Sequence, residues 1–383
     1  MPTLLPDPWH FPRSEFANQI LASLNSGLVN SIALFAPRRM GKTQFVLRDL
    51  LPAHLANGGD AIYFNLWENK SSPENVMIDA LRGHIEILKG AVTKKTGKLA
   101  SSIDLAIVKF TAEYGEELAA KSPVETVAAA IRLWAEVLRA KKQTGLLVID
   151  EVQHLATSDK FVNFTAALRT ALEGSADCIK TVFTGSSQAG LTRLFYDTKA
   201  AFYGPGSQIS LPRFGDDFIA FIAGKASDTY KQTFAIEDVA HVFDLHNASP
   251  YFLRQSINFA VLKALDLKTA ARRVGMELYV ELGLQEKWDA LSKIEQSIVQ
   301  LIQGKRQLYT ELTRNWIAVI ANEQVSTRKI QLAVAKLERG DWIDKAMDGK
   351  YEIADPVVTA YIVDIMRANL PLGHEEPNQS PVK

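Results

Sequence analysis

Through the first half of the chain, short apolar runs alternate with stretches of helical periodicity. Residues 31–36 (SIALFA), 61–66 (AIYFNL), 145–149 (GLLVI), 179–184 (IKTVFT) and 208–211 (QISL) read as five strands. The 145–149 run is apolar without alternation, the pattern of a parallel strand covered on both faces. Residues 43–55 carry Phe45, Val46, Leu50 and Leu51 at helical spacing, and Gly58-Gly59 stops that helix. Ser122-Pro123 followed by Glu125 is a capping start with proline at the first helical position. Val127, Ile131, Trp134 and Leu138 then share one helix face. Strand and helix in alternation predict a parallel sheet with right-handed crossovers, hence a three-layer α/β domain.

The second half has a different rhythm. Residues 214–287 are helical in pattern with no core strand. Three helices follow, at 292–302, 308–321 and 326–338, the last opening on Ser326 or Thr327 as a cap. Residues 341–354 then read as two short strands around Asp348-Gly349, a tight-turn signal, and a last helix closes the region. Three helices and a hairpin make a winged helix. The expected organisation is an α/β core at 1–212 with a helical insertion at about 71–143, a helical region at 213–287, a winged helix at 288–370 and a polar, disordered tail at 371–383.

Composition narrows the function classes. Lys and Arg together number 43, as do Asp and Glu, so the formal net charge is zero. That excludes a globally basic nucleic-acid protein and leaves room for a local basic patch. Residues 88–102 are such a patch: Lys89, Lys94, Lys95 and Lys98 stand there without an acidic neighbour, as a solvated basic loop or a phosphate-backbone contact. The single cysteine, Cys178, makes no intrachain disulfide or zinc cluster, and the composition suits a reducing, cytoplasmic compartment. No run is long and apolar enough to cross a membrane, so no membrane partner is expected. The proline-rich start of the chain does not read as a signal peptide.

The strongest chemical feature lies between the first strand and the first helix of the core. Ala36-Pro37-Arg38-Arg39-Met40-Gly41-Lys42-Thr43 matches G-x-x-x-x-G-K-[ST] apart from Ala36 at the first glycine. Gly41 lets the backbone curl so that its N–H groups face phosphate oxygens. The helix beginning near Lys42 adds its positive end. Lys42 reaches the β- and γ-phosphates, and the Thr43 hydroxyl can ligate Mg²⁺. The third strand ends in Asp150-Glu151. A carboxylate there can anchor a hydrated Mg²⁺, which assigns Asp150, and Glu151 can polarise the attacking water.

Together with Thr184-Gly185-Ser186-Ser187, these motifs resemble the AAA+ ATPases of the archaeal-type, STAND-related P-loop family with a carboxyl-terminal winged helix. Asn247-Ala248-Ser249-Pro250-Tyr251 is similar to that family's lid motif, and Phe11-Pro12-Arg13-Ser14-Glu15 to its amino-terminal box in compressed form. The resemblance implies an AAA+ α/β domain with strand order 5-1-4-3-2, followed by a helical lid over 213–287 and the winged helix. It implies ATP and Mg²⁺ as ligands, cradled by Pro37, Arg38, Arg39, Met40, Gly41, Lys42, Thr43 and Gln44, with Thr43 and Asp150 at the metal. Glu151 would be the catalytic base. Ser186 would be the polar sensor, or else a strand-end turn residue. Arg254 would be a second sensor on the lid, or an ordinary surface arginine. Phe11 and Pro12 would cover the adenine, or simply pack at the chain entry. Arg193 or Arg213 could serve a neighbouring subunit as an arginine finger in a homo-oligomer, or be ion-paired surface groups. His154 is expected to pack or hydrogen-bond locally.

The implied activity is slow ATP hydrolysis, with the nucleotide state acting as a regulatory switch through the lid and winged helix. A DNA-associated ATPase, similar to replication initiators or transposition regulators, is the alternative, and a non-catalytic scaffold a third. Within the winged helix Arg328, Lys329, Gln331 and Lys336 could touch DNA, but Glu338, Asp344 and Asp348 oppose it. Basic and acidic side chains balance over 286–367, which favours a protein partner over duplex DNA.

Overall fold

The computed structural model describes residues 5–95, 123–195, 202, 207–345 and 349–368. They form two compact units. One contains Met1–Pro37 and Gly41–Arg213; the other contains Arg38–Met40 and Phe214–Lys383.

The first unit is built on five parallel strands: β1 (Ser31–Phe35), β2 (Asp60–Asn65), β3 (Gly145–Asp150), β4 (Ile179–Gly185) and β5 (Ser207–Ser210). They lie in the order β2-β3-β4-β1-β5, which is 5-1-4-3-2 read from the other edge. Every position of β3 and β4 is buried, as the unbroken apolar run of β3 requires of a strand covered on both faces. Successive side chains leave a strand on opposite faces. Ala33, Leu147, Ile149 and Phe183 accordingly enter one large core, with Met77 and Leu81 of α4 (Pro73–Lys95) and Ile131 and Trp134 of α5 (Pro123–Lys141). Ile32, Leu34 and Val148 are equally buried but alternate with them. Helix α1 (Ser14–Asn25) packs on β1 and buries Ala17, Ile20, Leu21 and Leu24. The result is three layers, helices on both faces of one sheet.

The helical run after the first strand starts at Lys42, with Gly41 left-handed at its cap (φ 82°). It comprises α2 (Lys42–Phe45), one π-helical turn (Val46–Leu50) and α3 (Leu51–Ala56). The lysine-rich stretch begins inside α4, which runs on to Lys95, so its first part is helical where a loop was expected. Its remainder lies outside the described residues, as do the tail from 371 and Asp348. The sheet's other helices are α6 (Val162–Glu173) and α7 (Gln188–Phe195).

Among the described residues, the second unit is helical apart from one hairpin. Helices α8 (Asp216–Tyr230), α9 (Ile236–Leu245), α10 (Pro250–Lys263), α11 (Leu267–Glu281) and α12 (Leu284–Asp289) precede α13 (Lys293–Gln303), α14 (Glu311–Ala321) and α15 (Thr327–Arg339). Strands β6 (Ile343–Lys345) and β7 (Tyr351–Ile353) pair antiparallel, and α16 (Pro356–Ala368) follows. Caps set the helix starts. Ser292 and Glu295 form a reciprocal capping box at α13, Thr310 accepts from Thr313 N at α14, and Ser326 caps α15. The Thr310 cap is why α14 opens at Glu311 rather than at the apolar Leu308. One core joins α10 to α16 through Phe252, Trp288, Ile298, Ile330, Leu337 and Ile362.

Candidate functional site

Three adjacent strands, β3, β4 and β1, end side by side, and the residues expected to do chemistry meet there. Lys42 leads α2, Asp150 closes β3, Glu151 follows it, and Ser186 follows β4. Glu151 has positive φ (57°), an uncommon conformation for a side chain of its size, and it turns the chain out of the strand into the 3-10 turn Val152–Ala156. That turn carries Gln153 back toward Ser186.

A single ammonium faces two carboxylates. Lys42 Nζ lies 3.0 Å from Glu151 Oε1 and 3.6 Å from Asp150 Oδ1, and Lys42 is only 5% exposed. Asp150 is fully buried, and among the described residues every partner it has besides Lys42 is a hydroxyl or a backbone N–H. Thr43 Oγ1 donates to its Oδ2 at 2.9 Å, Tyr63 Oη donates to the same oxygen at 3.0 Å, and Thr184 Oγ1 donates to Oδ1. Glu151 N donates to Oδ1 at 3.0 Å. Burial and the adjacent Asp150 raise the Tyr63 phenol above its ordinary range, so it remains a donor. On the other carboxylate, Ser186 Oγ donates to Glu151 Oε2 at 2.8 Å and Gln153 Nε2 donates to the same oxygen.

The residues present fit a divalent cation of the Mg²⁺ type. Two carboxylates against one ammonium leave one negative charge in excess in a buried place, which a cation would neutralise. Among the described residues no group of three or more His, Cys, Asp or Glu could hold a metal by itself. That suits an ion that keeps waters and uses one hydroxyl and one carboxylate beside substrate phosphates, as Thr43 and Asp150 would supply.

The remaining expected residues are dispersed. In the first unit, Phe11 is half-buried and Pro12 exposed just ahead of α1. That entry segment is tied to the π-helical turn by His10 Nε2, 2.8 Å from Asp49 Oδ1. Pro37 is half-buried and Gln44 exposed, accepting from Arg48 Nε at 2.6 Å. Arg213 is exposed; the side chain of Arg193 lies outside the described residues. His154 packs against the nearby Phe161 ring and hydrogen-bonds the distant Lys70 O at 2.6 Å.

In the second unit, Met40 is buried, and Arg39 Nη1 donates to both oxygens of Asp355 at 3.0 and 2.9 Å. Arg38 Nη2 lies 3.6 Å from Asp341. Arg254 is exposed on α10.

Sequence reasoning missed Tyr63, Gln153 and the role of Thr184. Tyr63 looks like any aromatic residue in a strand; only the register, which sets Tyr63 beside Val148 and Asn65 beside Asp150, reveals its reach. A cavity of about 560 Å³ runs along β2 and α4 in this unit, lined in part by Tyr63, Asp79 and His84.

The parallel sheet in this order, with the glycine-lysine-threonine turn after β1 and the acidic pair at the end of β3, has the α/β fold expected of an AAA+ P-loop domain. No family model and no curated protein matches the chain. Among solved structures, the chain is similar to the Walker-type ATPase PABY2304 of Pyrococcus abyssi, with 18% identity over 92% of this chain and 96% of that one and a TM-score of 0.65. It is also similar to the ORC2 protein of Aeropyrum pernix in its ADP form, with 13% identity over 96% and 97% and a TM-score of 0.55. At such identities the likeness establishes the fold. No helix among the described residues is long and apolar enough to cross a membrane.

Proposed function

We propose that this protein binds ATP with Mg²⁺ and hydrolyses it slowly, and that its nucleotide state is a regulatory switch read by the lid and winged helix of the second unit. The observation that carries the reading is the buried Lys42 ammonium between Glu151 and Asp150, with Thr43 on the second carboxylate. The like folds support it in kind: one is described as an ATPase, and the A. pernix ORC2 protein as ADP and ADPNP-ADP complexes.

The chemistry follows from these residues. Gly41 in its left-handed turn presents backbone N–H groups to phosphate oxygens. Lys42 exchanges Glu151 for the β- and γ-phosphates. Thr43 and Asp150 would hold Mg²⁺, which when bound neutralises charge on the phosphate oxygens. Release from Lys42 leaves Glu151 Oε1 as an acceptor for the attacking water's proton, while Ser186 keeps hold of Oε2. Pro37, Arg38, Arg39, Met40 and Gln44 complete the cradle in this reading, Phe11 and Pro12 the adenine side. Arg254 acts as second sensor, and Arg213 or Arg193 as a finger in a homo-oligomer.

For the winged helix, a protein partner is the favoured reading over duplex DNA. Leu312 (83% exposed) and Val319 (80%) stand on the open face of α14 with Trp316. Lys329 and Lys336, two candidates for phosphate contact, are paired with Glu323 at 2.7 Å and Glu295 at 2.8 Å. ATP turnover of the wild type and of Glu151→Gln tests the central claim. Loss of roughly a hundredfold or more is expected for the variant, and equal rates would remove Glu151 from the mechanism. A salt-dependent duplex shift at low ionic strength would restore the DNA-associated reading.

A further inference from the structure

Gln153 has no place in the expected chemistry, yet it is 7% exposed and built into the site. Its Nε2 donates to Glu151 Oε2 and, at 3.2 Å, to Ser186 Oγ. Ser186 Oγ donates in turn to that same Glu151 oxygen at 2.8 Å. The three groups close a ring around one carboxylate oxygen, and the other oxygen, Oε1, belongs to Lys42 at 3.0 Å.

The backbone is shaped to admit this side chain. A Cβ on Gly185, at the end of β4, would lie 2.6 Å from Gln153 Oε1. A Cβ on Gly190, in α7, would lie 2.6 Å from Gln153 Cβ and 3.1 Å from its Cγ. The two 2.6 Å distances are closer than real Cβ contacts, so two glycines on either side of Ser186 form the slot in which the amide sits. The amide orientation is fixed by charge, because only the NH₂ end can face a carboxylate. The opposite end, Oε1, is buried and finds no donor among the described residues. Leaving a buried carbonyl oxygen without a donor is unfavourable, so the amide's orientation is governed by Glu151 rather than by its own full satisfaction.

We propose that Gln153 is a positioning residue for Glu151. Together with Ser186 it pins Oε2, so that Oε1 alone changes partner, from Lys42 to water, when Lys42 moves to the phosphates. The carboxylate then needs no reorientation at the moment of proton transfer. This rests on the hydrolytic reading above.

The test uses the full chain with Gln153→Met, which keeps the length of the side chain in its glycine slot and removes the amide. The expected result is a fall in kcat of roughly tenfold, the scale of one hydrogen bond to a charged group, with KM for ATP and the Kd of ATP measured without Mg²⁺ both within about twofold of wild type. The decisive arm is the Glu151→Gln background, where adding Gln153→Met should change the residual rate by less than about twofold, because the group it positions is gone. A Gln153→Met enzyme with wild-type kcat, or one whose loss recurs undiminished in the Glu151→Gln background, overturns the proposal and leaves the ATPase reading intact. Absence of turnover in a wild-type protein that binds ATP overturns both. Should Gln153→Met fold poorly, Gln153→Ala, which removes the amide and only vacates the slot, is read in the same two backgrounds with the same outcomes for and against.

Discussion

Two carboxylates in one sheet, Asp150 at the end of β3 and Asp60 at the start of β2, have opposite surroundings. Asp150 is held by the hydroxyls of Thr43, Tyr63 and Thr184, with Lys42 3.6 Å away. Asp60 is held by two ring N–H donors on Oδ2: Trp134 Nε1 at 2.8 Å and His84 Nε2 at 2.7 Å. Hydroxyls rotate about a single bond and can accept as well as donate, so their partners can be exchanged when a ligand arrives. The Trp134 ring is fully buried in the core and cannot follow a departing acceptor. In the function proposed above, the first carboxylate is arranged for exchange. The second is a tie between β2, α4 and α5.

The largest effect expected from that contrast is on turnover. Asp150→Asn should reduce ATP hydrolysis by roughly a hundredfold or more. Its fold should change by no more than about 1 kcal/mol, since the amide oxygen can take the place of Oδ1 before Thr184 and Glu151 N–H, and the hydroxyls of Thr43 and Tyr63 can rotate to accept from the NH₂. Rate and thermal midpoint measured on one preparation decide it; a midpoint loss with no loss of rate would make Asp150 structural.

Next is the reverse case. Asp60→Ala leaves the buried Trp134 N–H and His84 without their acceptor and should cost roughly 2–3 kcal/mol. Urea unfolding reads this directly. Turnover per folded molecule should remain within about twofold of wild type. A collapse of kcat in a protein that still melts like wild type would erase the distinction between the two carboxylates.

A smaller effect follows from the charge of Asp60. Burial alone would raise its carboxyl, but the bonds from His84 and Trp134 outweigh burial and hold it below the ordinary 3.8. A depressed folded value means that its stabilisation is complete above the unfolded value and is lost as pH falls through the folded one. The gap in thermal midpoint between wild type and Asp60→Ala should therefore narrow from about pH 6 to about pH 3. A gap that widens toward acid contradicts the assignment.

The same contrast explains what could be read from the chain alone. Lys42, Thr43, Asp150 and Glu151 were legible because each sits at a junction of strand and helix, where chain order and chemistry coincide. The strand order was implied by the same motifs. Gln153 was not legible: two residues after Glu151 it reads as an ordinary polar turn residue until β4 brings Ser186 and Gly185 against it. Asp60 and Trp134 are 74 residues apart, and Trp134 counted only as one member of an apolar helix face. Arg39 read as a phosphate-loop residue, and Asp355, its partner in the second unit, lies 316 positions away. Long-range polar pairing leaves no period in a sequence, whereas burial does.

Tyr63 joins the two cases and gives the smallest predicted effect. It stands on β2, three residues after Asp60, and its hydroxyl ends on Asp150. If β2 sets the functional carboxylate as well as the structural tie, Tyr63→Phe should lower kcat by roughly three- to tenfold, less than a full hydrogen bond to a charged oxygen because Thr43 and Thr184 still hold Asp150. Stability should change little, because the ring remains in place and Asp150 retains the hydroxyls of Thr43 and Thr184. Combining Tyr63→Phe with Asp60→Ala sharpens the point. The paths share a strand but no polar group, so their effects on rate and stability should add within about 0.5 kcal/mol. A larger coupling would mean that the tie at the start of β2 reaches the site through the strand, and the two carboxylates would then belong to one system.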